Sequence, residues 1–257
     1  MIFSWIKNRR RRKILARPFP KEWIPFLEAN VAHYSMLRPE QQQQLAQCVQ
    51  VFVAEKSWEG CESLEINDEI KVTVASQACL LLLGIEHDYF RNVRSILIFP
   101  DSIERDIQGS GGVMETTSVL GEAHYRGPVV LSWTDVRHGG IDGRDGRNLV
   151  YHEFAHKLDM LDDVVDGTPS MGSPDQLRQW VEVMTDHFNT LRRRAAKGQA
   201  TLLDHYGATD PGEFFAVATE CFFEKPRQMG RKYPDLYDLL CDFYRQDPAE
   251  RVASKEP

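Results

Sequence analysis

Residues 148–159 read Asn-Leu-Val-Tyr-His-Glu-Phe-Ala-His-Lys-Leu-Asp, and they set the strongest demand on the fold. Leu149, Val150, Phe154, Ala155, Leu158 and, just beyond, Leu161 make this stretch apolar on most sides. A helix that is apolar all round has to be buried. Burial takes two histidines inside with it. At 3.6 residues per turn, positions i and i+4 sit one above the other, so His152 and His156 offer their rings to one point. Buried imidazoles need partners, and a metal ion supplies them. The competing reading is a surface helix with a chance glutamate between two histidines. Three fixed positions coincide by accident in on the order of one such chain in a hundred, and the apolar flanks are wrong for an exposed helix. Two histidines and an open position suit Zn²⁺, which lowers the pKa of a water to about 7, and Glu153 lies where it can take the proton. This is the metallopeptidase reading of His-Glu-x-x-His.

The 257 residues are enough for one large domain or two small lobes with a real core. The longest apolar run, residues 78–85, falls far short of the ~20 residues that span a bilayer, so no transmembrane segment is expected. Five cysteines (Cys48, Cys61, Cys79, Cys221, Cys241) are odd in number, widely spaced and without a Cys-x-x-Cys pair. They point to free thiols in a reducing cytoplasm and to small core residues, not zinc ligands. The net charge of −7 hides an asymmetry: residues 1–17 carry +7 and no acid, which leaves −14 on the rest. An acidic body repels nucleic acid, so no direct nucleic-acid binding is expected.

Along the chain, residues 1–17 are not a signal peptide, because the charges follow the apolar residues and no apolar core comes after them. The expectation is a disordered, solvated basic tail. The sharper alternative is a weak contact with an anionic membrane surface through Phe3 and Trp5. Residues 21–32 and 39–56 have helical spacing, with Leu45, Cys48, Val49, Phe52 and Val53 in one stripe. Residues 66–85 read as a long buried helix that Gly84 ends, and residues 95–99 as a short buried strand stopped by Pro100. Residues 101–127 are rich in Gly, Ser and Thr and suit a loop over a cleft; they hold no phosphate-loop lysine. Residues 128–133 are a second strand, whose edge could pair with an extended peptide, and a Gly-rich turn over residues 138–146 leads to the His-Glu helix. Residues 175–194 form an amphipathic helix with Leu177, Trp180, Val181, Met184 and Phe188 inward; Arg192, Arg193 and Arg194 complement its C-terminus.

A zinc held by two histidines wants a third protein ligand. Asp210 reads as an N-cap and Pro211 as the first residue of a helix that places Glu213 and Glu220 on one face. Glu213 has an ordinary explanation as part of a capping box with Asp210, and Glu220 as a salt-bridged carboxylate. Spacing leaves both open as ligands. Asp159 shares the face of the two histidines and is assigned a structural role.

Here a resemblance adds to the reading. The strings His-Glu-Phe-Ala-His-Lys-Leu-Asp (152–159), Asp-Pro-Gly-Glu-Phe-Phe-Ala-Val (210–217), Glu-Cys-Phe-Phe (220–223) and Cys-Asp-Phe-Tyr-Arg-Gln-Asp-Pro (241–248) resemble the Mlc titration factor A family of bacterial zinc-dependent peptidases. The likeness runs in layout from about residue 18 to 248 and is tight only over these strings. It implies one zinc held by His152, His156 and Glu213, with Glu220 as a partner to a ligand histidine. Tyr206, seven residues before Glu213, would steady the tetrahedral oxyanion. Some members carry a further histidine thought to block the metal at rest; none stands near residues 113–115, and His124 is a poor substitute. The implied fold is α+β, mostly helical with a small sheet, of the gluzincin type. The expected layout is a tail (1–17), a helical part (18–93), the zinc-peptidase part (94–247) and a C-terminal tail (248–257). The implied activity is aminopeptidase-like hydrolysis of short peptides, with Glu153 as base and then acid. The implied alternative is binding of a transcriptional repressor, Mlc, that controls glucose-uptake genes.

Overall fold

The computed structural model describes residues 2–101, 127–162 and 164–253. The elements in order are α1 (Ile2–Leu15), α2 (Ile24–Asn30), α3 (Pro39–Glu55), β1 (Ser57–Gly60), α4 (Asp68–Leu80), β2 (Ser95–Phe99), β3 (Val129–Ser132), α5 (Trp133–Ile141), α6 (Leu149–Asp159), α7 (Pro174–Ala195), α8 (Pro211–Glu224), α9 (Pro226–Lys232), α10 (Pro234–Tyr244) and α11 (Pro248–Ala253). The architecture is α+β, mostly helical, with a three-stranded parallel sheet in the order β1-β2-β3. None of the described helices is long and apolar enough to cross a membrane.

The sheet was only partly visible in the sequence. β1, Ser-Trp-Glu-Gly, has no apolar alternation, yet Ser57 pairs with Ser95 and Trp58 with Ile96, while Ile96 pairs with Val129 on the other side. Long-range pairing creates the strand. β1 lies before residue 94 and β2 after it, so the two expected parts share one sheet and one hydrophobic core. Parallel neighbours need a long crossover, and α4 lies within the one joining β1 to β2. Asn67 starts α4 by accepting from Ile70 N at 2.9 Å, and the helix is buried from Val72 to Leu80. It stops before Gly84. A side chain at Gly84 would meet the backbone oxygens of Tyr244 and Arg245 at 2.3 and 2.4 Å, so that turn needs glycine because α10 ends against it.

The expectation of a disordered basic tail is corrected. Residues 2–15 are helical, and the Lys7–Arg11 face lies against α3 and the turn after α4. Arg11 makes two hydrogen bonds to the Glu55 carboxylate, at 2.7 and 2.8 Å, and also pairs with Asp88; Lys7 reaches Asp88 at 2.7 Å. Arg11 further stacks over the Tyr89 ring, 4.3 Å from its centroid. A forked guanidinium-carboxylate pair is stronger than an ordinary surface pair, which contributes about 0–1 kcal/mol. These partners lie 44 and 77 positions away, out of reach of local sequence reading.

Two further expectations change. The supposed Gly-rich turn over residues 138–146 is helical as far as Ile141, because Gly140 lets α5 press on α2: a side chain there would meet Asn30 O at 2.2 Å. On α7, Trp180 and Met184 are buried as expected, but Leu177 and Val181 are 43 % and 47 % exposed. The buried stripe runs Trp180, Met184, Leu191, narrower than the apolar pattern implied.

Candidate metal centre

Two helices, α6 and α8, bring the chemistry-bearing residues together. Asn148 caps α6: its Oδ1 accepts from Tyr151 N at 2.9 Å. Asp210 caps α8: its Oδ1 accepts from Glu213 N at 2.9 Å, with Pro211 as the first helical residue. α8 is buried from Gly212 to Glu224 and packs against α6.

His152, His156 and Glu213 meet between these helices, at 7 %, 3 % and 5 % exposure. His152 Nε2 lies 2.9 Å from Glu213 Oε2, His156 Nε2 3.4 Å from the same oxygen, and the two Nε2 atoms are 3.3 Å apart. Ligand atoms ~2.0–2.1 Å from a tetrahedral zinc stand roughly 3.3 Å from one another, so these three donors already have the spacing a zinc would impose. Glu213 Oε2 has no hydrogen-bond partner of acceptable geometry despite its closeness to both rings. Among the described residues, this is the group of His, Cys, Asp and Glu side chains that could hold a metal ion.

The surroundings prepare the donors. Glu220 Oε1 lies 2.8 Å from His152 Nδ1, and Glu220 Oε2 accepts from Asn148 N at 2.6 Å. A carboxylate on Nδ1 holds a proton there and turns Nε2 toward Glu213 and His156, the nitrogen that would serve a metal. With protein groups alone, burial works against a charge on His152, but Glu213 and Glu220 outweigh it and raise its pKa well above the usual value. Burial also opposes the charge on Glu213, but His152 and His156 pull its pKa far below the carboxylate range. A cation would take over the role of that imidazolium charge.

Tyr206 sits in a 3-10 turn, His205–Ala208, half-buried, and its hydroxyl donates to Glu213 Oε1 at 3.2 Å. Glu153 follows His152 on α6 and is half-buried. Asp159 turns to the backbone, where its Oδ2 accepts from Gly167 N at 2.8 Å; burial first, then Asp166, push its pKa up to about 6. The stretch over residues 109–112, the positions near 113–115 and His124 lie outside the described residues.

Sequence reasoning missed the polar network behind the metal centre. Asn148 Nδ2 lies within reach of Gln77 Oε1 (2.9 Å), Gly139 O (3.0 Å) and Glu224 Oε1 (3.3 Å). An asparagine just before an apolar helical run is a recognisable cap. The bond from its backbone N to Glu220 depends on α8 arriving from 72 positions away.

A family model for the glucose-regulated metallopeptidases M90 matches residues 5–245. The chain belongs to that family. It is 33 % identical over 244 residues to the uncharacterized protein slr2042 of Synechocystis sp., covering 93 % of this chain and 89 % of that one. It is 31 % identical over 235 residues to a protein of Cronobacter sakazakii named Mlc titration factor A (86 % and 84 % covered), and 32 % identical over 231 residues to the protein of that name from Klebsiella pneumoniae (84 % and 83 %). The M90 assignment makes the chain a member of a metallopeptidase family, whose chemistry calls for a metal and a peptide substrate.

Proposed function

We propose that the chain is a zinc-dependent peptidase whose metal is held by His152, His156 and Glu213. The observation that carries this reading is the 2.9–3.4 Å spacing of three buried donor atoms from two helices. Three protein ligands leave the position that a catalytic zinc keeps open, whereas a structural zinc takes four. Zinc there supplies a Lewis acid that acidifies water and polarises a peptide carbonyl. Glu153 takes the proton from the attacking water and returns it to the leaving amine. Tyr206 gives up its contact with Glu213 and donates to the oxyanion. Glu220 keeps His152 in the right tautomer. Asp159 holds Gly167 against the first turn of α8, where a side chain at Gly167 would meet Pro211 O at 2.3 Å, and so braces the turn that carries Glu213.

The activity is aminopeptidase-like, on short peptides, and the five free thiols fit the cytoplasm. A second reading, binding and titration of a repressor of the Mlc kind, draws on the name of the Cronobacter and Klebsiella relatives. Glu153→Ala separates the two. Hydrolysis of a peptide panel should fall by about 10²–10⁴-fold with zinc content unchanged, while co-elution with such a repressor persists. Unchanged hydrolysis would remove the peptidase assignment.

A further inference from the structure

Behind the metal centre, at the far end of α8, lies a cavity of about 260 Å³. Arg144 from the loop before α6, Lys225 at the end of α8, and Arg227 and Arg231 on α9 line it. The only carboxyl among its described lining residues is Glu224. Four cations around one small cavity are unusual on a body that carries −14 outside residues 1–17. The last turn of α8 accounts for Lys225 and Arg227, since cations suit a helix C-terminus. The last turn of α9 likewise accounts for Arg231, whose Nε donates to Arg227 O at 3.2 Å, but neither helix end accounts for Arg144, which arrives from another part of the chain.

Glu224 supplies the second observation. It is 3 % exposed; its Oε1 is 3.3 Å from Asn148 Nδ2, while its Oε2 has no hydrogen-bond partner. Burial, helped by Asp145 and Glu220, pushes its pKa up to about 9, with Asn148 and Gly146 pulling the other way. At neutral pH it is therefore a carboxylic acid with a proton to donate. A buried polar atom left unsatisfied costs roughly 1–3 kcal/mol, and an oxyanion in the cavity would meet that need. His33 lines the cavity too but has no bond to offer, because Nε2 is engaged by Phe223 O at 3.0 Å and Nδ1 by Tyr151 Oη at 3.2 Å. With burial first and Arg251 and Arg144 adding to it, its pKa falls to about 4, so it is neutral.

We propose that this cavity is a binding site for a phosphate-type dianion, held by Arg144, Lys225, Arg227 and Arg231 and receiving a hydrogen bond from Glu224. Guanidinium forks match the paired oxygens of phosphate. A tetrahedral dianion accepts from several directions at once, which suits donors that come from two separate chain segments, the loop at Arg144 and residues 224–231. The volume is below the ~300 Å³ at which drug-sized pockets begin, so the ligand is inorganic phosphate or a small phosphate ester. The site is separate from the metal centre and stands whether or not the peptidase assignment does.

Calorimetric titration of inorganic phosphate into the full chain at low ionic strength tests it, with succinate as a second probe. Phosphate should bind saturably, and the pair Arg144→Ala/Arg231→Ala should weaken it at least about tenfold. Arg192→Ala/Arg193→Ala removes the same charge from exposed positions at the end of α7 and should change it by less than about twofold. Glu224→Gln keeps a donor at that position and should retain binding. Equal weakening by the two arginine pairs, or no saturable phosphate binding, would overturn the site; succinate binding without phosphate binding would overturn the phosphate assignment.

Discussion

Glu213 and Glu224 stand at the first and last turns of one helix, α8, and are 5 % and 3 % exposed. Burial alone would raise both pKa values. At the first turn, two imidazoles face Glu213 and hold it ionised. At the last turn, Asp145 and Glu220 reinforce burial, and Glu224 keeps its proton with a pKa of about 9. The same side chain in the same helix is therefore an ionised carboxylate among possible metal ligands at one end and a protonated acid at the other. The difference lies in what the rest of the chain brings to each end, and it divides the helix into a half legible in sequence and a half that is not.

The largest effect should come from removing the first carboxylate. Glu213→Ala takes away one of three donors, so the protein should lose its zinc on gel filtration, measured as metal per chain, and lose hydrolysis with it. Retention of stoichiometric zinc would show that another group completes the site. Next comes Glu220, which separates the two ends. Removing the hydrogen-bond partner of a ligand histidine typically costs 10–100-fold in metal affinity. Glu220→Gln should fall in that range in competition with a chromophoric chelator. Since Glu220 also raises the pKa of Glu224, this variant should lower it.

The contrast in charge can be read as stability. An acid whose folded pKa lies above its unfolded value binds a proton that the unfolded chain releases. Its cost is absent below about pH 4.5, grows as pH rises, and levels off above about pH 9. Glu224→Gln removes the ionisable group and should stabilise the metal-free protein by about 1–3 kcal/mol at pH 8, with little difference at pH 4.5. Urea unfolding at the two pH values checks this, and equal differences at both would mean that Glu224 ionises normally.

What the sequence revealed follows the same division. The His-Glu helix was legible because its apolar faces, its Asn148 cap and its i, i+4 histidines are all local, and α8 because Asp210-Pro211 marks its start. Choosing Glu213 over Glu220 was beyond spacing and needed the family resemblance. What no local pattern encodes is the arrival of distant groups: β1 exists through pairing with Ser95–Phe99, and α1 is fixed by Glu55 and Asp88. The cluster of Arg144, Arg231 and Glu224 likewise assembles from separate segments. Charge runs are the weakest signal, because a run such as Arg9–Lys13 fits a solvated tail until partners at tens of positions' distance are known.

The smallest expected effect tests whether the metal end of α8 is rigid in its own right. Asp210 Oδ1 holds the Glu213 amide, so the cap and the donor belong to one turn. Loss of an N-cap side chain costs about 0.5–2 kcal/mol. If that turn is held only by its cap, Asp210→Ala should reduce zinc affinity along with stability. Other restraints converge on it, however: Pro211 fixes its backbone, Gly167 presses on Pro211 O, and Tyr206 donates to Glu213 Oε1. These should keep the donor in place, so Asp210→Ala should cost ~1 kcal/mol in unfolding while zinc affinity moves by less than about threefold. A tenfold loss of zinc affinity in the same variant would show that the cap, not the packing around it, positions Glu213.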